Sequence, residues 1–551
     1  MADELSARYD DLLTGTYDCV DRIVLNAYFS MGHGPGGFRT WWRRWQGDDD
    51  QLDNTHLMRL AGRFARRVRG WAKANDVPVI DTKAGERKHL IAQEYLDAGP
   101  VRPGVFLVLV ARAPALVWKV QRSAAGRIVN LEKTSQYVNH YSFHIMDPTW
   151  GHVTIKMSGH PPFGAQVILN GHEYVAAQAT RAGVEFRKEG NCFSVVPEPA
   201  HLARIADTVS SPETAGRLRE VCNRWIYTAC LCFGLDVADQ RASGFAYDYS
   251  VFQVEYSRNL LFANGARMQR VFEAVVDRTR SRLDVKTIRT MFGAKSRPHR
   301  DRAKGPPRLE AVIGTPTYDL TNFKVHFGRL TVKAYTKGEH VLRVEAIAHN
   351  TRDLGCGRVL ERWGDITSRL ADITDRFCTT LDCVDVGFIA DGLLDELPRP
   401  SQLGAARVGG IDLNKERIRN ALAAVLALAA SPSGFTVAQF TDKVRALTGQ
   451  DEHAYSTRQG AYDLRKLRGK SLIDKPARSR RYQVPPEAAR TISGIVTLRD
   501  HVIAPILAGI RSPHLGRKPS IWTAVDRDYE QIRIKMQTLF SDLAIDTPAA
   551  A

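Results

Sequence analysis

Residues 139–160, NHYSFHIMDPTWGHVTIKMSGH, alternate polar and apolar side chains one by one. A period of two belongs to a strand lying between water and a core. It excludes an amphipathic helix, whose apolar positions recur every three or four residues. His140, Ser142 and His144 share one side, with Tyr141, Phe143 and Ile145 on the other. Beyond DPTWG, His152, Thr154, Lys156, Ser158 and His160 continue the polar side opposite Val153, Ile155 and Met157. The reading is a half-buried hairpin. A register that keeps both apolar faces together, with a bulge at Gly151, sets His144 opposite His152 and His140 opposite Lys156. AQVILN supplies a third strand. Asn170 is placed to cap a helix from Gly171, with His172 and Glu173 at its positive end.

Strand patterns recur in VFLVLVAR, ALVWKVQR and YDYSVFQVEYSRNLLFA, with helical stretches between and after them, so the fold class expected is α+β. At 551 residues the chain exceeds one hydrophobic core. Five segments are expected: an N-terminal α/β segment (1–95), a hairpin-rich domain with trailing helices (96–235), a second α+β domain (236–400), a helical domain (411–510) and a tail helix (511–551).

The 77 Lys+Arg against 60 Asp+Glu leave a net charge of +17, a surplus that attracts polyanions, DNA or RNA first among them. A membrane is not the expected partner, because the longest apolar runs, 105–110 and 421–430, are too short to span a bilayer. The polar N-terminus lacks a secretory pattern, which points to the cytoplasm. Eight cysteines without a CxxC pair read as buried thiols. No dinucleotide fingerprint, P-loop or zinc-protease motif supports a small-molecule enzyme.

Two basic stretches have open readings. In the helix expected over 56–74, Arg59, Arg63, Arg66, Arg67 and Arg69 alternate with Leu57, Leu60, Phe64 and Val68. Beside Trp41, Trp42 and Trp45 they form either a nucleic-acid grip or a solvated face over core tryptophans. Lys295, Arg297, Arg300 and Arg302 lie in AKSRPHRDRAKGPPR, which either tracks phosphate or is a solvated linker.

The C-terminal part contains an apolar helix (414–430), a second helix capped by Thr436 with Val437, Phe440, Val444 and Leu447 on one face, and a third capped by Ser456 with Ala461, Leu464 and Leu467 inward. SLIDK and RYQV are short strands around PARSR, and Pro485 and Pro486 start another helix. This succession over 412–506 resembles a winged helix-turn-helix domain. The resemblance implies that Thr457, Arg458, Gln459, Tyr462 and Arg465 meet bases or phosphates in the major groove, while Arg478, Arg480 and Arg481 hold backbone from the wing. The other reading is a protein-interaction module.

Two constellations carry candidate chemistry. His144, His152, His160, His172, Glu173 and Asp147 form a candidate metal set, since strand–strand–helix with histidines is how compact metal-dependent nucleases are built. Against it, HNH spacings are absent and a lysine facing a histidine repels a cation. The rival reading is a solvated or nucleic-acid-contacting sheet face. In 323–350 an even register around GEH sets Tyr335 opposite Arg343 and Lys333 opposite Glu345. Such a set can cleave DNA through a phosphotyrosine, or it can be a cross-strand salt-bridge ladder. The block Y-x-K-x-E followed by L-R-x-E is similar to a segment of the rolling-circle replication initiators of plasmids and filamentous phages, which nick with tyrosine. Their histidine-any-histidine strand is missing, so their metal site does not carry over. The order VDRIVLNAYF, GERKHL, PPFGAQVILNGHEYV, LRVEAIAHNTRDLG resembles a set of bacterial proteins associated with mobile elements, which brings no mechanism.

The expectation is a DNA-binding protein of a mobile element, replication-initiator-like or transposase-like. Tyr335 would be its nucleophile, Lys333, Lys337 and Arg343 would neutralise phosphate, and Glu345 would orient them or bind Mg²⁺ or Mn²⁺. The alternative is a non-catalytic DNA- or RNA-binding regulator.

Overall fold

The computed structural model describes residues 6–268, 323–385 and 393–499, apart from isolated positions within them, and part of 527–538. Lys295, Arg297, Arg300, Arg302, Arg478 and most of the 511–551 tail lie outside the described residues. The fold is α+β, as expected. A ten-stranded sheet runs in the order β10-β11-β12-β9-β1-β6-β5-β4-β3-β2. Its strands are β1 (Leu13–Tyr28), β2 (Val79–Asp81), β3 (Gly104–Arg122), β4 (Ile128–Asp147), β5 (Gly151–Ser158), β6 (Ala165–Asn170), β9 (Asp248–Phe262), β10 (Phe323–Phe327), β11 (Leu330–Lys337) and β12 (Val341–Ala348). A small separate hairpin pairs β7 (Arg187–Lys188) with β8 (Phe193–Val195). Among the described residues of this sheet, β2 and β3 run parallel and the other neighbours are antiparallel.

β1 joins the halves of the sheet, pairing β6 on one side and β9 on the other. The segments 1–95, 96–235 and 236–400 therefore all contribute strands to one sheet. A strand's alternation marks its faces without naming its neighbours. Every residue of β12 is buried, and the helix Trp363–Asp385 packs against it. The helix Pro199–Ser210 packs on β1.

The opening hairpin forms with its polar and apolar residues on the two sides as read, but it is not half-buried, since Ser142, His144, Ser158 and His160 of the polar side are covered too. Its register is two residues away. His144 lies opposite Thr154, and Asp147 opposite Gly151. The side chain of Asp147 accepts from the backbone N–H groups of Thr149 and Trp150, both at 2.8 Å, and Gly151 takes φ +60°. That turn places the loop at Pro148–Trp150 and shifts the pairing, a preference set by turn chemistry rather than by apolar parity.

Trp41 and Trp42 are fully buried, so they are core residues and offer no stacking platform. The helix Asn54–Ala74 buries Leu57, Leu60, Phe64 and Val68. Three of its arginines are engaged within the protein: Arg63 on the Gly234 carbonyl at 2.7 Å, Arg67 on Asp236 at 3.5 Å and Arg69 on Asp81 at 2.8 Å. Among the described residues no disulfide forms, and Cys19, Cys192, Cys222, Cys230 and Cys378 are buried. No described helix is long and apolar enough to cross a membrane.

Towards the C-terminus come the helices Glu416–Leu428, Val437–Thr448, Thr457–Gly469 and Pro486–Thr497. Thr436 and Ser456 cap the second and third, each in a capping box with a glutamine. Bridges Phe435 to Tyr482 and Asp474 to Gln483 tie the intervening segments. Gly460, rather than Ala461, faces the neighbouring helix, where an added Cβ would meet Thr441 Oγ1 at 2.3 Å. Asp463 is buried beside it, satisfied by Arg417 at 2.9 Å and the Tyr455 hydroxyl at 2.8 Å.

Lys443, 5 % exposed, is pushed down to about 7 by burial. Because its folded pKa lies below its ordinary 10.5, the unfolded chain binds more protons between those values, and stability rises with pH across that window. Lys443→Met should remove the rise and stabilise the protein at pH 7 by roughly 2–4 kcal/mol. Urea unfolding at a series of pH values reads this out; an unchanged slope would refute it.

Candidate functional site

One face of the β11–β12–β9–β1 part of the sheet is polar at its centre. Lys333 pairs with Glu345 and Tyr335 with Arg343 across β11 and β12, the register read from the sequence. Ser257 and Asn259 of β9 lie opposite Glu345 and Arg343 on the other side. In β1 the pairing with β9 shifts between Val20 and Ile23, a bulge containing Asp21 and Arg22. A bulge re-aims a side chain, and here it brings Asp21 toward the glutamates of the next strands. Donor oxygens of Asp21, Glu255 and Glu345 all lie within 4.8 Å of one another.

Each carboxylate is held differently. Asp21 is 1 % exposed, accepts from Arg343 Nη1 at 3.0 Å and from Asn170 Nδ2 at 3.0 Å, and is also bonded by Asn191 Nδ2. Burial opposes its charge, but His172, Arg343 and Asn191 together hold it well below the usual carboxylate range. Glu345 accepts from Lys333 Nζ and, at 3.3 Å, from the Tyr335 hydroxyl. Glu255 accepts from Gln253 at 2.8 Å, and is pushed up to about 7 by burial and by the neighbouring Glu345 and Asp21. Burial likewise raises the Tyr335 phenol far above its ordinary value. Lys333 Nζ stands 4.6 Å from the Tyr335 ring centroid.

Arg343 is fully buried and donates to Asn259 Oδ1 at 2.7 Å, Asp21 and the Asn191 carbonyl. His172, also fully buried, turns Nε2 to Arg343 at 3.4 Å and Nδ1 to Asp21 at 3.6 Å. Since Arg343 only donates, Nε2 accepts, which leaves the His172 proton on Nδ1, facing Asp21. Lys337 Nζ donates to Asn191 Oδ1.

The histidine set of the sequence does not converge. His144 Nδ1 and His152 Nε2 meet at 3.0 Å, each 3.3 Å from Thr154 Oγ1. Burial lowers both, His144 to about 3. Among the described residues the pair acquires no third metal-competent donor within reach. His160 Nδ1 contacts the Pro161 carbonyl at 2.9 Å, Glu173 pairs with Lys188 at 2.6 Å, and His172 joins the acidic site. Asp147 anchors its own turn and accepts from Arg224 and Trp225. These last four are engaged in structure at separate places.

No protein-family model, curated protein or solved structure matches the chain. The geometry alone therefore identifies Asp21 and Glu255 as members of the site, together with Asn191 and Asn259, none of which the sequence reading selected. A signal was present. Asp21 shares parity with the buried Tyr17 and Cys19, and Glu255 with the polar Ser257 and Asn259, so each is a charge on an inward face.

On the helix Thr457–Gly469, Thr457, Arg458, Tyr462 and Arg465 are exposed. Gln459 is half-buried, and its Oε1 accepts from the Ser456 backbone at 2.7 Å in the cap. Arg480 is exposed, while Arg481 donates to the Gly434 carbonyl at 2.9 Å. Among the described residues, no ion pair engages Arg458, Arg465 or Arg480.

Proposed function

We propose that the chain is a DNA-processing protein of a mobile element, which carries out phosphodiester chemistry on the polar face of its sheet and engages duplex through the helix Thr457–Gly469. The observation that carries the chemical half is the Tyr335 hydroxyl hydrogen-bonded to Glu345 within a cluster of three carboxylates. Glu345 is placed to take the phenol proton, without which a phenol this strongly shifted upward is no nucleophile. The tyrosine oxygen then bonds to phosphorus, the strand's P–O bond breaks, and the departing sugar oxygen takes a proton from Lys333. Three carboxylate oxygens are a donor set that suits Mg²⁺ or Mn²⁺, so Asp21, Glu255 and Glu345 would hold such an ion in competition with Lys333 on Glu345 and Arg343 on Asp21. When bound, it would supply Lewis-acid polarisation of the phosphoryl group.

Purified protein incubated with a labelled single strand and Mn²⁺ should yield a cleaved strand joined to protein on a denaturing gel. Absence of both species with either Mn²⁺ or Mg²⁺ would leave the second reading, a non-catalytic DNA- or RNA-binding regulator.

The duplex-binding half is supported by the succession of a helix, a short extended segment at Phe435, two capped helices and a bridged pair of segments, with Arg458 and Arg465 facing water. Arg458→Ala and Arg465→Ala should each reduce the slope of log affinity against log salt by about 1. Fluorescence anisotropy of a labelled duplex measures it, and unchanged slopes in both variants would remove this helix from the interface.

A further inference from the structure

The loop between β7 and β8 reaches the acidic site through Asn191. Glu189 and Gly190 at its tip are exposed, whereas Asn191 is half-buried and reaches inward. This one residue engages three charged groups. Its backbone carbonyl accepts from Arg343 Nη2 at 2.6 Å, its Oδ1 accepts from Lys337 Nζ, and its Nδ2 donates to Asp21. Two cations on neighbouring strands thus converge on two oxygens of a single small group, the arrangement by which proteins bind a phosphate.

An amide is a weaker partner for these cations than an anion, because hydrogen bonds with charge on both sides are about twice as strong as neutral ones. We infer that Asn191 is a displaceable plug, whose two carbonyl oxygens occupy the places of two non-bridging oxygens of a substrate phosphodiester. This rests on the reading of the sheet face as a phosphodiester site. The base of the loop is anchored on both strands, and Glu189 is held by Ser194 and Arg187, which leaves Gly190 and Asn191 as the part that moves. Phe193 is fully buried, with its ring 5.6 Å from Tyr17 and 5.1 Å from Phe186. Lys188 is tied to Glu173, and the hairpin closes through Glu189 N–H to the Cys192 carbonyl at 2.8 Å. Withdrawal of the tip releases Lys337 Nζ and one guanidinium nitrogen of Arg343, whose bonds to Asp21 and Asn259 stay in place.

The test uses the full chain and a short single-stranded oligonucleotide. Asn191→Ala removes the side-chain contact to Lys337 and should raise affinity for the strand about fivefold or more. Asn191→Asp places a carboxylate on the same cations and should lower it about tenfold or more. A purely structural asparagine predicts weaker binding for both variants, and that result overturns the plug. Hydrogen exchange of amides 188–193 in the wild-type protein should accelerate when the strand saturates; unchanged or slower exchange also overturns it. This measurement does not depend on either variant folding. These readouts are of binding, so the order Ala above wild type above Asp without any cleavage would uphold the plug while Tyr335 chemistry falls. Tyr335-dependent cleavage with binding lowered in both Asn191 variants would do the reverse.

Discussion

Tyr335→Phe is expected to abolish covalent capture of a labelled strand, by more than about a thousandfold, because a ring without oxygen forms no bond to phosphorus. Duplex binding should stay within about twofold, since the exposed arginines of the Thr457–Gly469 helix are untouched. Stability should fall by only about 1 kcal/mol, the loss of one hydrogen bond to Glu345 from a side chain whose ring and Lys333 contact remain. The measurement is a denaturing gel of protein with 5′- and 3′-labelled strands, with Mn²⁺ and with chelator. Wild-type capture undiminished in the Phe variant would refute the assignment of Tyr335. Capture lost together with the folded state, seen by circular dichroism, would refute the predicted small stability change.

Arg343→Met should produce the largest loss of stability, about 3–5 kcal/mol, because it leaves Asp21 charged, buried and without its cation. The loss extends beyond the ion pair. Asn259, the Asn191 carbonyl and His172 Nε2 each lose the donor that satisfies them. Asp21→Asn should also destabilise, stranding a guanidinium that is fully buried. The double variant Asp21→Asn/Arg343→Met should cost less than the sum of the singles, since removing both charges leaves none uncompensated. Denaturant unfolding followed by the fluorescence of the buried Trp41, Trp42 and Trp363 reports all three. Strict additivity would show that Asp21 and Arg343 do not act as a pair.

Several features of this molecule are written in short stretches of its chain. The alternation in 139–160 gave the right faces of β4 and β5. The pairing of Tyr335 with Arg343 and of Lys333 with Glu345 follows from a short connection that leaves few registers open. Thr436 and Ser456 cap the helices they were expected to cap, and the class is α+β. The two-residue slip at Asp147 shows the limit of such patterning, because both registers keep the same faces buried and only the turn distinguishes them. The basic helix Asn54–Ala74 shows another limit. Its arginines are periodic in the sequence, yet contacts with other elements decide their partners: Gly234 takes Arg63, and Asp236 and Asp81 take Arg67 and Arg69 in surface pairs.

The acidic site was beyond local reading for the same reason. Asp21, Glu255 and Glu345 come from strands that are distant in sequence and adjacent in space because β1 pairs β9 and β9 pairs β12. Side-chain periodicity and capping arise from steric and hydrogen-bonding preferences that act within a few residues, so the sequence by itself determined which segments are strands and helices and which of their faces are apolar. Which strand lies beside which is decided by burying whole faces at once and by the bulge at Asp21, and only the tertiary structure brings three carboxyl groups together with the buried cation that makes their proximity tolerable.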